Sequence, residues 1–260
     1  MRKLTLDAIA RKNKFKTSNS AEKEFFRALK QLAKNASHIV DAHAEGASLK
    51  DPERMMKVLS EYSEAITPWA VRQAEKMLEA VQKSNKRAWA IQSQKMSREL
   101  KEGVAARETG QTARLLLNEQ VALIKSIPLE AGLRAQKIAE ENFFEGRRAV
   151  PDQSVIDQLV NEMGMTEEVA VNRARLIART ETAKANASIL QARATSLGVT
   201  SYVWRTTMDG AERESHAEMN GEVVEYAHPP TLSDGMTGHA GNFPNCRCWQ
   251  DPIIPGIDSD

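Results

Sequence analysis

The feature that most constrains this chain is the place where its helix breakers stop being rare. Only four prolines precede Gly198 (Pro52, Pro68, Pro128 and Pro151), each at the edge of a helical pattern, whereas residues 199–260 hold five prolines and six glycines. Proline removes a backbone donor and crowds the preceding turn, so a long stretch nearly free of it favours helices in series. The expected fold class is therefore α+β: an extended, mainly helical N-terminal region followed by a small β-rich C-terminal domain packed on a long helix. Aromatics are only 5% of a chain that is 41% hydrophobic, which favours helices packed through small residues over an aromatic-filled sandwich. No apolar run approaches the roughly 20 residues needed to cross a bilayer, so no membrane span is expected. The first residues, charged and without an apolar core behind them, do not read as a secretory signal.

Charge changes at the same place. Residues 199–260 carry three arginines (Arg205, Arg213 and Arg247) against ten acids, a balance of −7, while residues 1–198 stand at +8, giving the overall +1. A basic body joined to an acidic end suggests that the two face different partners. The first sixteen residues hold six basic side chains and one acid. The expectation is a poorly ordered basic arm over 1–19, with Lys12, Lys14 and Lys16 contacting DNA or a partner. The remaining divisions are a helical region over 20–127, a second helical part over 128–198, and a small acidic α+β domain over 199–260.

Helical patterns follow in series. Ser20 can cap a helix whose stripe is Phe25, Leu29, Leu32 and Ile39. Pro52 and Pro68 open two more, and the polar stretch Lys83–Lys86 predicts a bend or break in the second. Pro128 is expected to stop one helix and start the next, and Gly164 to end another. The helix over 166–197 carries two apolar faces. One is lined by Val169, Leu176, Thr180, Ala183, Ala187, Leu190 and Ala194, the other by Ala174, Ala178, Ala185 and Ala192, so it is expected to be buried on two sides. Arg179 lies beside the first stripe and Glu181 among the alanines, about 160° apart at the helical 100° per residue, so they cannot pair. A carboxylate there needs its own partner, because burying a lone charge is costly; Arg205 and Arg213 are candidates. Arg179, Glu181, Asp209 and Arg213 form the expected set of structural polar anchors.

After Gly198 the apolar period becomes two. Thr200–Thr207 reads as a strand with Tyr202 and Trp204 on one side. Asp209 is placed to cap a short helix carrying Arg213 and His216, and Asn220-Gly221 marks a turn before a strand over 222–226. A last strand starts near Cys246. The strongest chemical constellation is His216, His239, Cys246 and Cys248. In an extended segment two cysteines two apart point to the same side, and two thiolates with two imidazoles make a tetrahedral zinc set. The expected cofactor is zinc in a structural role; packed thiols with loop histidines are the other reading. A disulfide between Cys246 and Cys248 would be strained at this spacing.

The same residues permit catalysis in two ways. Cys246 can be a nucleophile with His216 as base and Asp209 orienting it. Alternatively, a metal on His216 and His239 can activate water in a metal-dependent hydrolase or nuclease. No HExxH motif, glycine-rich phosphate loop, nucleophile elbow or paired-carboxylate motif accompanies them, and the expectation is that the chain is not an enzyme.

A series of residues carries a family likeness: Arg175-Leu176-Ile177-Ala178-Arg179-Thr180-Glu181-Thr182, then Tyr202-Val203-Trp204, then Asp209, Arg213, His216 and Gly221, and finally Gly238-His239 and Asn245-Cys246-Arg247-Cys248. Taken in this order, it resembles the phage Mu F-like minor head proteins, also called the phage head morphogenesis family. The likeness runs over about residues 125–254 and is most specific over 174–250, with Ala240 where such proteins usually carry a proline. The resemblance implies a minor structural protein of the virion. It would act in head assembly at or near the portal vertex, with the portal protein and other head proteins as partners and roles in DNA packaging or delivery. Its location would be the phage head interior or portal vertex, and the host cytoplasm during assembly. A basic helical body suits the neighbourhood of packaged double-stranded DNA, and a region at −7 is a poor docking surface for a polyanion.

Overall fold

The computed structural model describes residues 14–45, 48–93, 110–144 and 153–255. Among them, six helices precede or interrupt a small C-terminal sheet, an α+β architecture with a helical N-terminal region. In chain order they are α1 (Asn19–Ala42), β1 (Ala44–Glu45), β2 (Ser48–Leu49), α2 (Pro52–Ala65), α3 (Thr67–Ser93), α4 (Gly110–Phe144), α5 (Gln153–Ser196), β3 (Ser201–Arg205), α6 (Glu214–Glu218), β4 (Val223–Glu225) and β5 (Trp249–Pro252). The chain divides into two compact units. One is formed by Lys23–Glu75 and Asn118–Ala178, the other by Met1–Glu22, Lys76–Leu117 and Arg179–Asp260.

The first of these units is helical apart from the short β1–β2 pair, which joins Ala44 to Leu49. Phe25, Leu29, Leu32, Ala36 and Val40 recur at helical spacing on α1 and are all buried. The Asp51 carboxylate accepts the Arg54 N–H at 2.9 Å and Pro52 opens α2, so the start of α2 is fixed by its own sequence. Met55 and Leu59 carry its buried face. On α4, a Cβ added at Gly132 would lie 2.5 Å from Leu59 Cδ1 and 2.6 Å from Met56 Sδ. An alanine there would require the flexible ends of those two side chains to shift.

Three expected interruptions do not occur. Helix α4 passes through Pro128. Proline inside a helix costs about 3 kcal/mol, but Ile124, Ile127, Ala131 and Ala135 on either side are buried along one face. Burying an isoleucine side chain contributes about 1.5–3 kcal/mol, enough to outweigh the penalty. Helix α5 likewise passes Gly164 without ending; a mid-helix glycine costs only about 1 kcal/mol against alanine. Helix α3 continues through Lys83–Lys86 because Asn85 lies on its buried face beside Val81, Ala88 and Trp89, where Arg193 donates to its Oδ1 at 3.2 Å. A polar residue with a partner does not break an apolar face.

In the second unit, α5 ends where glycine takes a left-handed conformation: Gly198 has φ +79°. The Val199 N–H reaches the Ala194 carbonyl and the Gly198 N–H the Thr195 carbonyl, both at 3.0 Å. This hydrogen-bond pair closes a Schellman motif and leaves Val199 buried. The chain then enters β3, the central strand of an antiparallel sheet ordered β4-β3-β5. Tyr202 pairs across to Val224 and Pro252, and Trp204 to Gln250. The expected alternation holds, with Tyr202 and Trp204 fully buried. The sheet does not close its core alone: Phe15, Trp89, Leu190 and Ala194 share one cluster with Trp204, Phe243 and Ile254. Gly241, at φ +91°, brings the loop before β5 onto α5, where an added Cβ would sit 3.0 Å from the Ala187 Cβ. Ala183 and Ala187 are buried on this face and Ala174, Ala178 and Ala185 at the alanine positions, but Val169, expected on the first stripe, is exposed.

The expected loose arm is corrected where it is described. Phe15 is buried with its ring 5.3 Å from that of Trp89, and its carbonyl accepts from Asn186 Nδ2 at 2.9 Å. Lys14 donates to Gln92 Oε1, and Lys16 lies 5.2 Å over the Trp249 ring. One aromatic residue within a run of cations pins the segment, and two of the cations are then used inside the molecule. Lys12 lies outside the described residues.

Candidate metal centre

Three of the four His/Cys residues meet. Helix α6 is only five residues long and places Ser215 and His216 inward, with the Ser215 hydroxyl donating to Asp234 at 2.8 Å. Arg213 stands at its N-cap position with an extended backbone, so Asp209 is not the cap. The two cysteines enter from the opposite side, after Asn245, which sits in the left-handed region at φ +57°. Asparagine is among the few residues that tolerate this conformation. Its backbone N–H donates to Thr180 Oγ1 at 2.9 Å, and its Oδ1 accepts from Arg179 at 2.9 Å. Arg179 also pairs with Glu22 at 3.3 Å, and Arg213 donates to the Pro244 carbonyl at 2.9 Å. The bend that presents Cys246 is thus held from α5 and from the start of α6.

His216 Nδ1 lies 3.5 Å from Cys246 Sγ and 3.4 Å from Cys248 Sγ. The three ligand atoms all lie within 4.8 Å of one another, and all three residues are buried. Trp204 meets the imidazole edge-on at 5.9 Å between ring centroids, and the Phe243 ring lies at 5.0 Å. Both cysteines are free thiols. The Cys248 thiol and its backbone N–H both point at the Cys246 sulfur, the latter at 3.3 Å. The hydrogen bond from Cys248 pulls the Cys246 thiol well below its ordinary pKa and pushes that of Cys248 up, with burial adding to the rise at Cys248.

His239 is not part of this group. Its Nδ1 lies 3.2 Å from the Tyr202 hydroxyl, which accepts the Ala240 N–H at 3.2 Å, and the ring also bonds the Tyr226 backbone. Burial lowers its pKa below 6.5. The four residues expected from spacing are not all brought together, because His239 is engaged inside the sheet's own core. Asp209 is also elsewhere. It pairs bidentately with the Arg247 guanidinium, one contact being 2.8 Å, which holds its carboxyl below the usual range. No Cys246–His216–Asp209 relay exists, since His216 Nε2 faces Arg213 at 3.5 Å. Glu181 is 4% exposed, while Arg205 pairs with Asp251 at 3.4 Å. Thr180, Asn245 and Arg247 went unassigned as positioning residues; the signal for Asn245 is an asparagine directly after a proline at the mouth of a cysteine pair.

A cavity of about 70 Å³ opens beside these three side chains. It touches His216, Cys246 and Cys248 and is further lined by Glu212, Arg213 and Thr206.

The model of the family described as Phage Mu protein F like protein matches residues 36–250. The chain belongs to that family. It is a family of structural phage head proteins, and the match spans both compact units, including α6 and the cysteine pair. A curated protein of Haemophilus influenzae, described as uncharacterized, is 41% identical over 95 residues, 36% of this chain and 20% of that protein. The chain therefore matches only a minor part of that relative's length. No solved structure is significantly similar to it. Among the described residues, no helix is long and apolar enough to cross a membrane.

Proposed function

We propose that this Phage Mu F-like chain is a minor structural protein of the virion that acts in head morphogenesis at or near the portal vertex. The observation that carries this reading is the family match over residues 36–250. Its partners are the portal protein and other head proteins, with packaged double-stranded DNA near the basic part of the chain. The charge division supports this assignment of faces. The C-terminal residues 199–260 at −7 suit a protein partner with a basic face, while the remainder at +8 tolerates DNA nearby. The role is structural, and the residues for a cysteine–histidine–aspartate relay are apart, with Asp209 on Arg247 and His216 Nε2 facing Arg213. Location in the head interior or at the portal vertex follows from the same reading.

The test is a map of assembled particles together with co-purification of the chain with portal protein. The expected result is density for the chain at the portal-bearing vertex, and binding to portal that weakens as salt rises. Particles that assemble and package normally without the chain, or a chain spread over the whole shell, would refute the assignment.

A further inference from the structure

We propose that His216 Nδ1, Cys246 Sγ and Cys248 Sγ hold one zinc ion whose fourth ligand is a water facing the adjoining cavity. The geometry is that of a metal site already assembled. With Zn–S near 2.3 Å and Zn–N near 2.0–2.1 Å, a tetrahedral centre separates nitrogen from sulfur by about 3.6 Å. The two nitrogen–sulfur distances are 3.5 and 3.4 Å, so a central ion is accommodated with shifts of a few tenths of an ångström. Two thiolates and an imidazole are a soft set that favours zinc over magnesium or calcium. On coordination both sulfurs become thiolates, and the protons they carried go to solvent.

The fourth position is open for two reasons. His239, the remaining candidate ligand, is bonded to Tyr202 and the Tyr226 backbone. The cavity touches all three ligand residues, so it lies on the side the ion would present. Glu212, on the cavity wall, accepts the backbone N–H groups of Asp209 and Gly210 at 3.2 and 3.0 Å and stands outside the three-atom group.

The ion ties α6 to the segment just before β5. It closes the span from 216 to 248, which contains Pro229, Pro230, Pro244 and three of the chain's positive-φ glycines, Gly221, Gly235 and Gly241. Regular structure in that span is sparse, with one three-residue strand. A cross-link of this kind stabilises by restricting the unfolded chain.

The test uses the full chain, reduced and freed of metal, titrated with zinc and in parallel with cobalt(II) as a spectroscopic stand-in. We expect one equivalent bound, with tetrahedral cobalt bands and a thiolate-to-cobalt charge-transfer band. Cys248→Ser should roughly halve that band, and His216→Ala should weaken binding at least about tenfold. His239→Gln should bind as wild type does. Azide should shift the cobalt bands by displacing the water. Absence of stoichiometric binding by the wild-type chain overturns the site without recourse to any variant. Loss of the metal in His239→Gln, or cobalt bands indifferent to azide, overturns the three-ligand, open form. None of these readouts depends on the portal assignment.

Discussion

The docking of the C-terminal segment on α5 turns on Gly241, and Gly241→Ala isolates it. Two costs arise. At φ +91° a Cβ meets its own backbone, a strain of about 1–2 kcal/mol for an L residue in this region. The new methyl would also sit 3.0 Å from Ala187 Cβ, 3.3 Å from the Ala183 carbonyl oxygen and 3.4 Å from that of Cys248. Overpacking of this kind costs about 1–3 kcal/mol. The sum is a loss of about 2–5 kcal/mol. Gly235 supplies the control, since it has a similar φ of +82° but nothing within 4 Å of its added Cβ. Gly235→Ala should therefore lose only the backbone share, about 1–2 kcal/mol. Urea unfolding followed by tryptophan fluorescence reports on this region, because Trp89, Trp204 and Trp249 all belong to its core. Adding Ala187→Gly to Gly241→Ala should recover part of the contact share, a coupling of about 1 kcal/mol. Equal losses at Gly241 and Gly235, or no coupling with Ala187, would refute the argument that close approach to α5 makes glycine necessary.

Three further outcomes follow from the same packing. Phe15→Ala should destabilise the chain by about 3–5 kcal/mol in the same urea assay, the usual range for losing a buried phenylalanine; a change under about 0.5 kcal/mol would return residues 14–19 to a free arm. His239 is buried with its pKa lowered, so the unfolded chain takes up its proton first as pH falls. Its contribution is complete above about 6.5 and declines below it, and His239→Gln should flatten the fall in stability as pH drops below about 6.5. Gly132→Ala should cost about 1 kcal/mol net, with strain against Leu59 and Met56 exceeding the helix-propensity gain of about 1 kcal/mol; thermal unfolding that shows stabilisation would mean that α2 gives way freely.

What the sequence made readable and what it hid divide along one physical line. Patterns whose energetics are local were read correctly: the alternation of Tyr202 and Trp204 in β3, the Pro52 start of α2, and the change of period at Gly198. Breakers were over-weighted. Pro128, Gly164 and the polar run at 83–86 each exact a local penalty of a few kcal/mol at most, and the penalty yields wherever the flanking residues share a buried face. That face is visible only once its partner is known, as Arg193 shows for Asn85. Phe15 was hidden by the charges around it, because six cations in sixteen residues describe solubility and say nothing of one aromatic side chain.

The candidate site follows the same rule. Cys246 and Cys248 face one way because they stand two positions apart, with only Arg247 between them, which any sequence reading sees. Which histidine meets them depends on the path of the loop from 216 to 246, and two histidines 23 residues apart look alike in one dimension. What separates them is the demand already placed on each ring. Tyr202 Oη and the Tyr226 backbone engage His239 within the sheet, while His216 keeps Nδ1 directed at both sulfurs. A histidine is available to a metal only if the core has not already used its nitrogens. The buried tyrosine at 202, which must find a partner for its hydroxyl, is the residue that removes His239 from the set.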